Sequence, residues 1–140
     1  MNCFSFTFMK KNMANKYTTG IDVVSVERFK EILKDEHFKN RVFSEEELAY
    51  IFKSDNESLK LNRMAARFAA KEAFFKAVSS IKDLIMKEVS VTHEEDGRPY
   101  LVFTGKTKDF IEQNNISCDL SISHDGGFAV ATVICYQLAD

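Results

Sequence analysis

Tryptophan is absent from this chain, and proline occurs once, at Pro99. Glycine is scarce too, with five in 140 residues. No Gly-x-Gly-x-x-Gly occurs, and no Gly-x-x-x-x-Gly-Lys-Ser/Thr. The dinucleotide fingerprint and the P-loop therefore lack the glycines that let backbone approach phosphate. Cysteine is limited to Cys3, Cys118 and Cys135, an odd number without a Cys-x-x-Cys pair. A disulfide framework or a zinc site is poorly supported, and a reducing, cytoplasmic compartment is expected. Cys118 and Cys135 lie in strand-like runs and read as small core residues. A charge excess is missing as well: 19 basic and 21 acidic residues leave a formal charge of −2. Without a global basic field, bulk attraction to nucleic acid is excluded as the mode of action. No apolar run reaches the ~20 residues of a membrane helix. The run Cys3–Met9 is short, and basic residues follow it, the reverse of a secretory signal.

What remains is enough for one core. Apolar residues make up 45% of the chain and aromatics 12%, mostly Phe. The length fits one domain, and no repeat or linker divides it. Residues 1–16 read as a poorly ordered extension, with Met9 and Met13 each a candidate start, and residues 17–140 as a single domain.

Hydrophobic spacing sets out an order of elements. "YTTGIDVV" reads as a strand rich in β-branched residues. Ser25 then offers an N-cap to a helix over "VERFKEIL". "SEEELAYIF" opens with Ser44 and places Glu47 three residues on, a capping box. A long helix is expected from about Leu59 to Ser79. "EVSVTHEEDGRPYLVF" reads as a hairpin turning at Asp96-Gly97. "TKDFIEQNN" reads as a short helix stopped by Asn114 or Asn115, and "CDLSISHDGGFAVATVICYQ" as a second hairpin turning at "HDGG". Helices and hairpins segregate, which predicts an α+β fold rather than a doubly wound sheet.

Chemistry concentrates in three places. The first is "RFAAKEAFFKA", Arg67 to Ala77, on the long helix. At ~100° per residue, Arg63, Arg67 and Lys71 form one stripe, and Ala66, Ala69, Ala70, Ala73 and Ala77 another. Glu72 and Lys76 lie just beyond the alanines. The plain reading is an i,i+4 surface ion pair, a solvated arginine face and a close helix contact through the alanines. The functional reading needs a partner, and Asp22 supplies one. This carboxylate sits mid-strand in "GIDVV", on the face of Gly20 and Val24. It either faces solvent or needs a cation to offset desolvation. Asp22 and Glu72 could share one Mg²⁺, which takes one or two carboxylates and completes its shell with water and phosphate. Lys71, Lys76 and Arg67 would then face phosphates. The third place is "SISHDGG", where His124 is either a base or phosphate donor, or a turn residue bonding nearby backbone. A Ser123-His124-Asp125 triad is disfavoured, because neighbours on a strand point to opposite faces.

Taken together and in this order, "GIDVVSVERF", "RFAAKEAFFKA" and "SISHDGGFAVATVI" resemble the holo-[acyl-carrier-protein] synthases, the small bacterial type of 4′-phosphopantetheinyl transferase. "DGRPYLVF" sits where that family has an Asp-Gly-Lys-Pro-type turn. The resemblance spans about Gly20 to Ile134. It implies a phosphopantetheinyl-transferase fold around one sheet, assembled as a homotrimer with active sites between subunits. It implies Mg²⁺-dependent transfer of the 4′-phosphopantetheine arm of coenzyme A to a serine of apo acyl carrier protein, releasing adenosine 3′,5′-bisphosphate, in support of fatty acid biosynthesis. It implies Asp22 and Glu72 as metal ligands and Glu72 and Lys76 as catalytic. Arg67, Lys71, Lys76, His124 and the turn Asp96, Gly97, Arg98 and Pro99 are implied around coenzyme A. The proton acceptor stays open between Glu72 and water at the metal. Carrier docking is implied for Arg28, with Lys30 and Lys34. Glu27, Glu31, Asp35 and Glu36 dilute that patch, and Lys39 or Arg41 are alternatives. Two features depart from the family: the glycine-poor Val78–Asp83 loop, and Asp125 after His124, where relatives carry Thr or Ser. A non-catalytic coenzyme A or carrier-binding module on the same fold, or another Mg²⁺-dependent nucleotide phosphotransferase, are the rival readings.

Overall fold

The computed structural model describes residues 17–78 and 83–137. The extension 1–16, residues 79–82 of the glycine-poor loop, and residues 138–140 lie outside the described residues. The chain opens with β1 (Tyr17–Ser25) and a 3-10 turn (Val26–Arg28). Four helices follow: α1 (Phe29–Ile32), α2 (Glu36–Val42), α3 (Glu45–Ile51) and α4 (Glu57–Ala77). A 3-10 turn (Met86–Glu88) leads into β2 (Val89–His93) and β3 (Pro99–Phe103). Helix α5 (Gly105–Gln113) and the hairpin β4 (Ile116–Asp125) and β5 (Phe128–Gln137) complete the fold. This is the α+β order expected from the sequence.

One expectation is corrected. The strands form two sheets rather than one: an antiparallel sheet in the order β1-β5-β4, and a separate β2-β3 ribbon. β3 approaches β4, but α5 packs against β3, β4 and the Met86–Glu88 turn. No ladder joins β3 to β4.

Local chemistry explains most boundaries. Ser44 accepts the Glu47 N–H, and Glu47 reaches back to the Ser44 N–H, completing the expected capping box. Asn56 accepts the Leu59 N–H at 3.0 Å and starts α4 earlier than the spacing alone indicates. Ser25 behaves differently. It stays in the β1–β5 ladder opposite Phe128 and makes no side-chain cap bond. The helix expected from Val26 accordingly divides into a 3-10 turn and the short α1. Gly126 and Gly127 both have positive φ, 56° and 82°, as a two-residue hairpin turn between right-twisted strands requires.

The core lies between α4 and one face of the three-stranded sheet. Ala66, Ala69, Ala70, Ala73 and Ala77 are all buried, as are Val24, Leu120, Ala129, Ala131 and Val133 on the strands. Gly20 is the point of closest approach. A Cβ there would fall well inside contact distance of the Ala73 carbonyl oxygen and crowd the Ala77 amide. The alanine stripe and the glycine together bring the helix axis down onto β1. The opposite sheet face stays open, with Tyr17, Ile21, Val23 and Phe128 each at least half exposed.

Gly20→Ala is therefore expected to destabilise the protein by about 1–3 kcal/mol or more, since backbone rather than a flexible side chain must move. Urea unfolding of the variant measures this. An unchanged midpoint would show that the helix–strand contact tolerates a methyl group.

Candidate active site

Asp22 projects from the helix-facing side of β1, between the buried Gly20 and Val24. Its side chain is only 15% exposed. Lys76, in the last turn of α4, meets it: Lys76 Nζ lies 3.0 Å from Asp22 Oδ1 and donates to the Ile21 carbonyl at 2.9 Å. Lys76 thus reaches across to the strand instead of closing the i,i+4 surface pair with Glu72. Glu72 is half-buried beside them. Burial pushes its carboxyl above the usual carboxylate range, and the Asp22 charge adds to this, while Lys76 and Arg28 oppose it. Arg28 stands at the end of the 3-10 turn, with its guanidinium over the Phe68 ring at 5.4 Å. Its charge at Glu72 was not legible in the sequence. The chain's return from β1 onto α4 is the feature that creates it.

Asp22 and Glu72 are two carboxylates on rigid elements, and burial and mutual repulsion disfavour the ionised form of Glu72. A divalent cation would relieve that repulsion. Among the described residues no group of three or more His, Cys, Asp or Glu is gathered. A closed protein cage is thus absent there, whereas a two-carboxylate set suits Mg²⁺, which keeps water and phosphate in its shell.

Lys71 requires a correction. It is fully buried, 2.5 Å from Glu47 Oε1, and donates to the Met86 carbonyl at 3.0 Å and to the Val89 carbonyl. Burial pushes its ammonium below the usual lysine range, opposed by Glu47. It faces α3 and β2, so it holds the core together and is not a phosphate contact. Glu47 completes this unit: it also accepts the Val91 N–H at 3.1 Å.

The arginine stripe is corrected as well, because Arg67 is only 3% exposed. Arg63 and Arg67 both stack on the Tyr50 ring at 4.2 Å, and His93 flanks it at 5.3 Å. The Nε atoms of both arginines are buried without a hydrogen-bond partner. This cationic cluster lies on another side of α4 from Glu72.

The structure does not bring the remaining candidates into the Asp22 cluster. His124 is exposed at the end of β4, on the helix-facing side, but β5 separates β4 from β1. The two backbones are then two strand spacings apart, about 10 Å. Register alternation puts Ser123 and Asp125 on the face opposite His124, which dissolves the triad. The Asp96–Pro99 turn caps the β2–β3 ribbon, where Asp96 Oδ1 accepts the Arg98 N–H at 3.0 Å and Gly97 has φ 89°. β2 runs from Val89 at Lys71 to His93 at Tyr50. The turn therefore extends beyond the level of Arg63, some nine residues or ~13 Å along α4 from Glu72. Lys30 is tied to Glu27 at 3.1 Å, and Lys34 is exposed.

A family profile described as the 4′-phosphopantetheinyl transferase superfamily matches residues 18–133. The chain belongs to this superfamily. A holo-[acyl-carrier-protein] synthase of Wolbachia sp. subsp. Drosophila simulans is 38% identical over 117 residues, covering 82% of this chain and 93% of that protein. The Thermodesulfovibrio yellowstonii protein of the same name is also 38% identical, covering 82% and 94%. Among solved structures, the Chronobacterium ammoniagenes ACPS-CoA complex aligns with a TM-score of 0.74 at 28% identity, covering 88% of this chain and 98% of that one. The Helicobacter pylori holo-[acyl-carrier-protein] synthase in complex with coenzyme A aligns at 0.69 and 30% identity, covering 84% and 98%. The superfamily match takes in α4, nearly all of β1 and the β4–β5 hairpin as far as Val133, and so every residue of the Asp22 cluster.

Replacing Lys71 with Met strands the Glu47 charge in the core, and a loss of about 3–5 kcal/mol is expected. The double variant Lys71→Met/Glu47→Gln should recover part of that loss. A denaturation cycle reads both. Full additivity of the two changes would contradict the pairing.

Proposed function

We propose that this chain is a holo-[acyl-carrier-protein] synthase. It transfers the 4′-phosphopantetheine arm of coenzyme A to a serine hydroxyl of apo acyl carrier protein and releases adenosine 3′,5′-bisphosphate. The observation that carries the reading is the Asp22–Glu72–Lys76 cluster at the contact of β1 and α4. It sits in a chain that matches named synthases over nearly their whole length. The coenzyme A complexes of the structural relatives support the donor.

Asp22 and Glu72 would hold Mg²⁺. When bound, the ion neutralises charge that develops on pyrophosphate oxygens during transfer. The chain's own groups do the rest. Lys76 is about half exposed, so it can leave Asp22 and donate to the β-phosphate or the leaving oxygen. The serine proton would go to Glu72 or to water held beside it. Arg28 couples two tasks: its charge acts on Glu72, and the segment that follows it, α1 and the turn after, carries Lys30 and Lys34 toward the acidic carrier. A carrier docked there would bring its serine toward the metal ligands.

The groups that one chain leaves apart are read as completing the site between subunits. His124 and the Asp96–Pro99 turn would meet coenzyme A bound at a neighbour's Asp22 cluster. Arg63, partly exposed on the Tyr50 ring, would offer charge to a phosphate remote from the transferred one, and the buried Arg67 would act only through its field. The exposed apolar sheet face of Tyr17, Ile21, Val23 and Phe128 supports a homotrimer, since a patch of this kind marks an interaction surface. Among the described residues no helix is long and apolar enough to cross a membrane. Cytoplasmic placement, a role in fatty acid biosynthesis and the single 17–140 domain belong to the same proposal.

The test is to incubate the protein with coenzyme A, Mg²⁺ and apo carrier protein, then weigh the carrier. A gain of one phosphopantetheine is expected, and Glu72→Gln at saturating Mg²⁺ should lower kcat by about 10²–10³-fold. No gain across several carriers, with coenzyme A bound, would make the chain a binding module. Near-normal turnover of Glu72→Gln would remove the metal role.

A further inference from the structure

Cys118 and Cys135 face each other directly in the β4–β5 register, and their Sγ atoms lie 3.0 Å apart. The hairpin fixes which kind of site this is. Gly126 and Gly127 form a two-residue turn closed by the pair Asp125–Phe128. In such a hairpin the closing pair exchanges hydrogen bonds, and bonded and non-bonded pairs then alternate along the ladder. His124–Ala129, Ile122–Ala131, Leu120–Val133 and Cys118–Cys135 are accordingly the non-bonded pairs. At such positions the Cα atoms stand ~4.5 Å apart and the side chains converge. A disulfide spans Cα separations of ~4.4–6.8 Å. The pair is bridgeable without sliding the strands. Cys135 is 3% exposed, while Cys118 is only partly buried and provides the route for a small reagent.

We propose that Cys118 and Cys135 form an oxidation site that closes to an intramolecular disulfide between β4 and β5. The oxidant is a low-molecular-weight disulfide. The Cys118 sulfur attacks one of its sulfurs, the reagent's S–S bond breaks, and one small thiol leaves with a proton. The Cys135 sulfur then attacks Cys118 in the mixed disulfide and expels the second small thiol, which takes the second proton. Two protein thiols lose two electrons and the reagent gains them. Contact with the Cys135 thiol, then burial, push the Cys118 thiol well above the usual cysteine range. Thiolate is scarce at neutral pH, so closure is slow there and accelerates as pH rises. A reducing compartment keeps the pair open, and an oxidising episode closes it reversibly. The bridge lies six residues along β4 from His124, about 20 Å. It locks the far end of the hairpin and leaves the transfer site in place.

The sequence makes the test clean. No Lys or Arg follows Lys108, so both cysteines fall in one tryptic peptide, 109–140, whereas Cys3 falls in another. The full-length protein is treated with oxidised glutathione at neutral and at alkaline pH, alkylated and digested. The expected result is a 109–140 peptide lighter by about two mass units, free of alkyl groups, restored by dithiothreitol, and formed faster at alkaline pH. The thermal midpoint of the oxidised protein should rise by several degrees, and Cys118→Ser should abolish both changes. Two alkyl groups on that peptide after oxidation, a stable glutathione adduct on Cys118, or closure only in denaturant would each overturn the proposal.

Discussion

Everything at the candidate site depends on how closely α4 lies on β1. The contact is backbone against backbone: Gly20 leaves no side chain under the Ala73 carbonyl, and Ala69, Ala70 and Ala77 keep the rest of that helix face thin. Short-range packing of this kind does more than fill the core. It brings a carboxylate on a strand and a carboxylate on a helix into electrostatic contact, and it lets Lys76 span the gap. With a larger residue at position 20 the two elements would separate and each charge would be solvated by itself. An isolated surface ion pair contributes little. The same residue types across a fixed, partly desolvated contact can hold a metal and a phosphate.

A second constraint stands behind the first. Lys71 and Glu47 form an ion pair inside the core, with carbonyls and an amide satisfying the remaining valences. The pair ties α4 to α3 and β2, so the helix is fixed on the side away from β1 as well. Buried pairs are costly to assemble and more costly to break. This one holds the Lys71 side of α4 against α3 and β2.

These two constraints also separate what was legible in the sequence from what was not. The alanine stripe, the capping box of Ser44 and Glu47, the two hairpins and the strand-borne Asp22 are local patterns, and spacing alone exposes them. The direction of the cationic stripe is not local. Arg67 and Lys71 look solvated because charged residues usually are. Burial followed from partners far along the chain, namely Tyr50, Glu47 and the Met86 and Val89 carbonyls. The same holds for the split of the strands into two sheets, which depends on pairings between distant segments. Ser25 illustrates a competition: its cap preference was visible, but the ladder to Phe128 won. The scattered positions of His124 and the Asp96–Pro99 turn are a further case, since order along the chain does not reveal that β5 lies between β4 and β1 or that the turn caps a separate ribbon.

The central claim is that Asp22 and Glu72 act as one site. The most direct test is the transfer rate, at saturating Mg²⁺, of Asp22→Asn, Glu72→Gln and the double variant. Residues that serve a single ion lose its effect together, so the double variant should be no slower than the slower single variant, within about two-fold. Losses that multiply would show that the two carboxylates work independently, and would contradict a shared metal at the contact of β1 and α4.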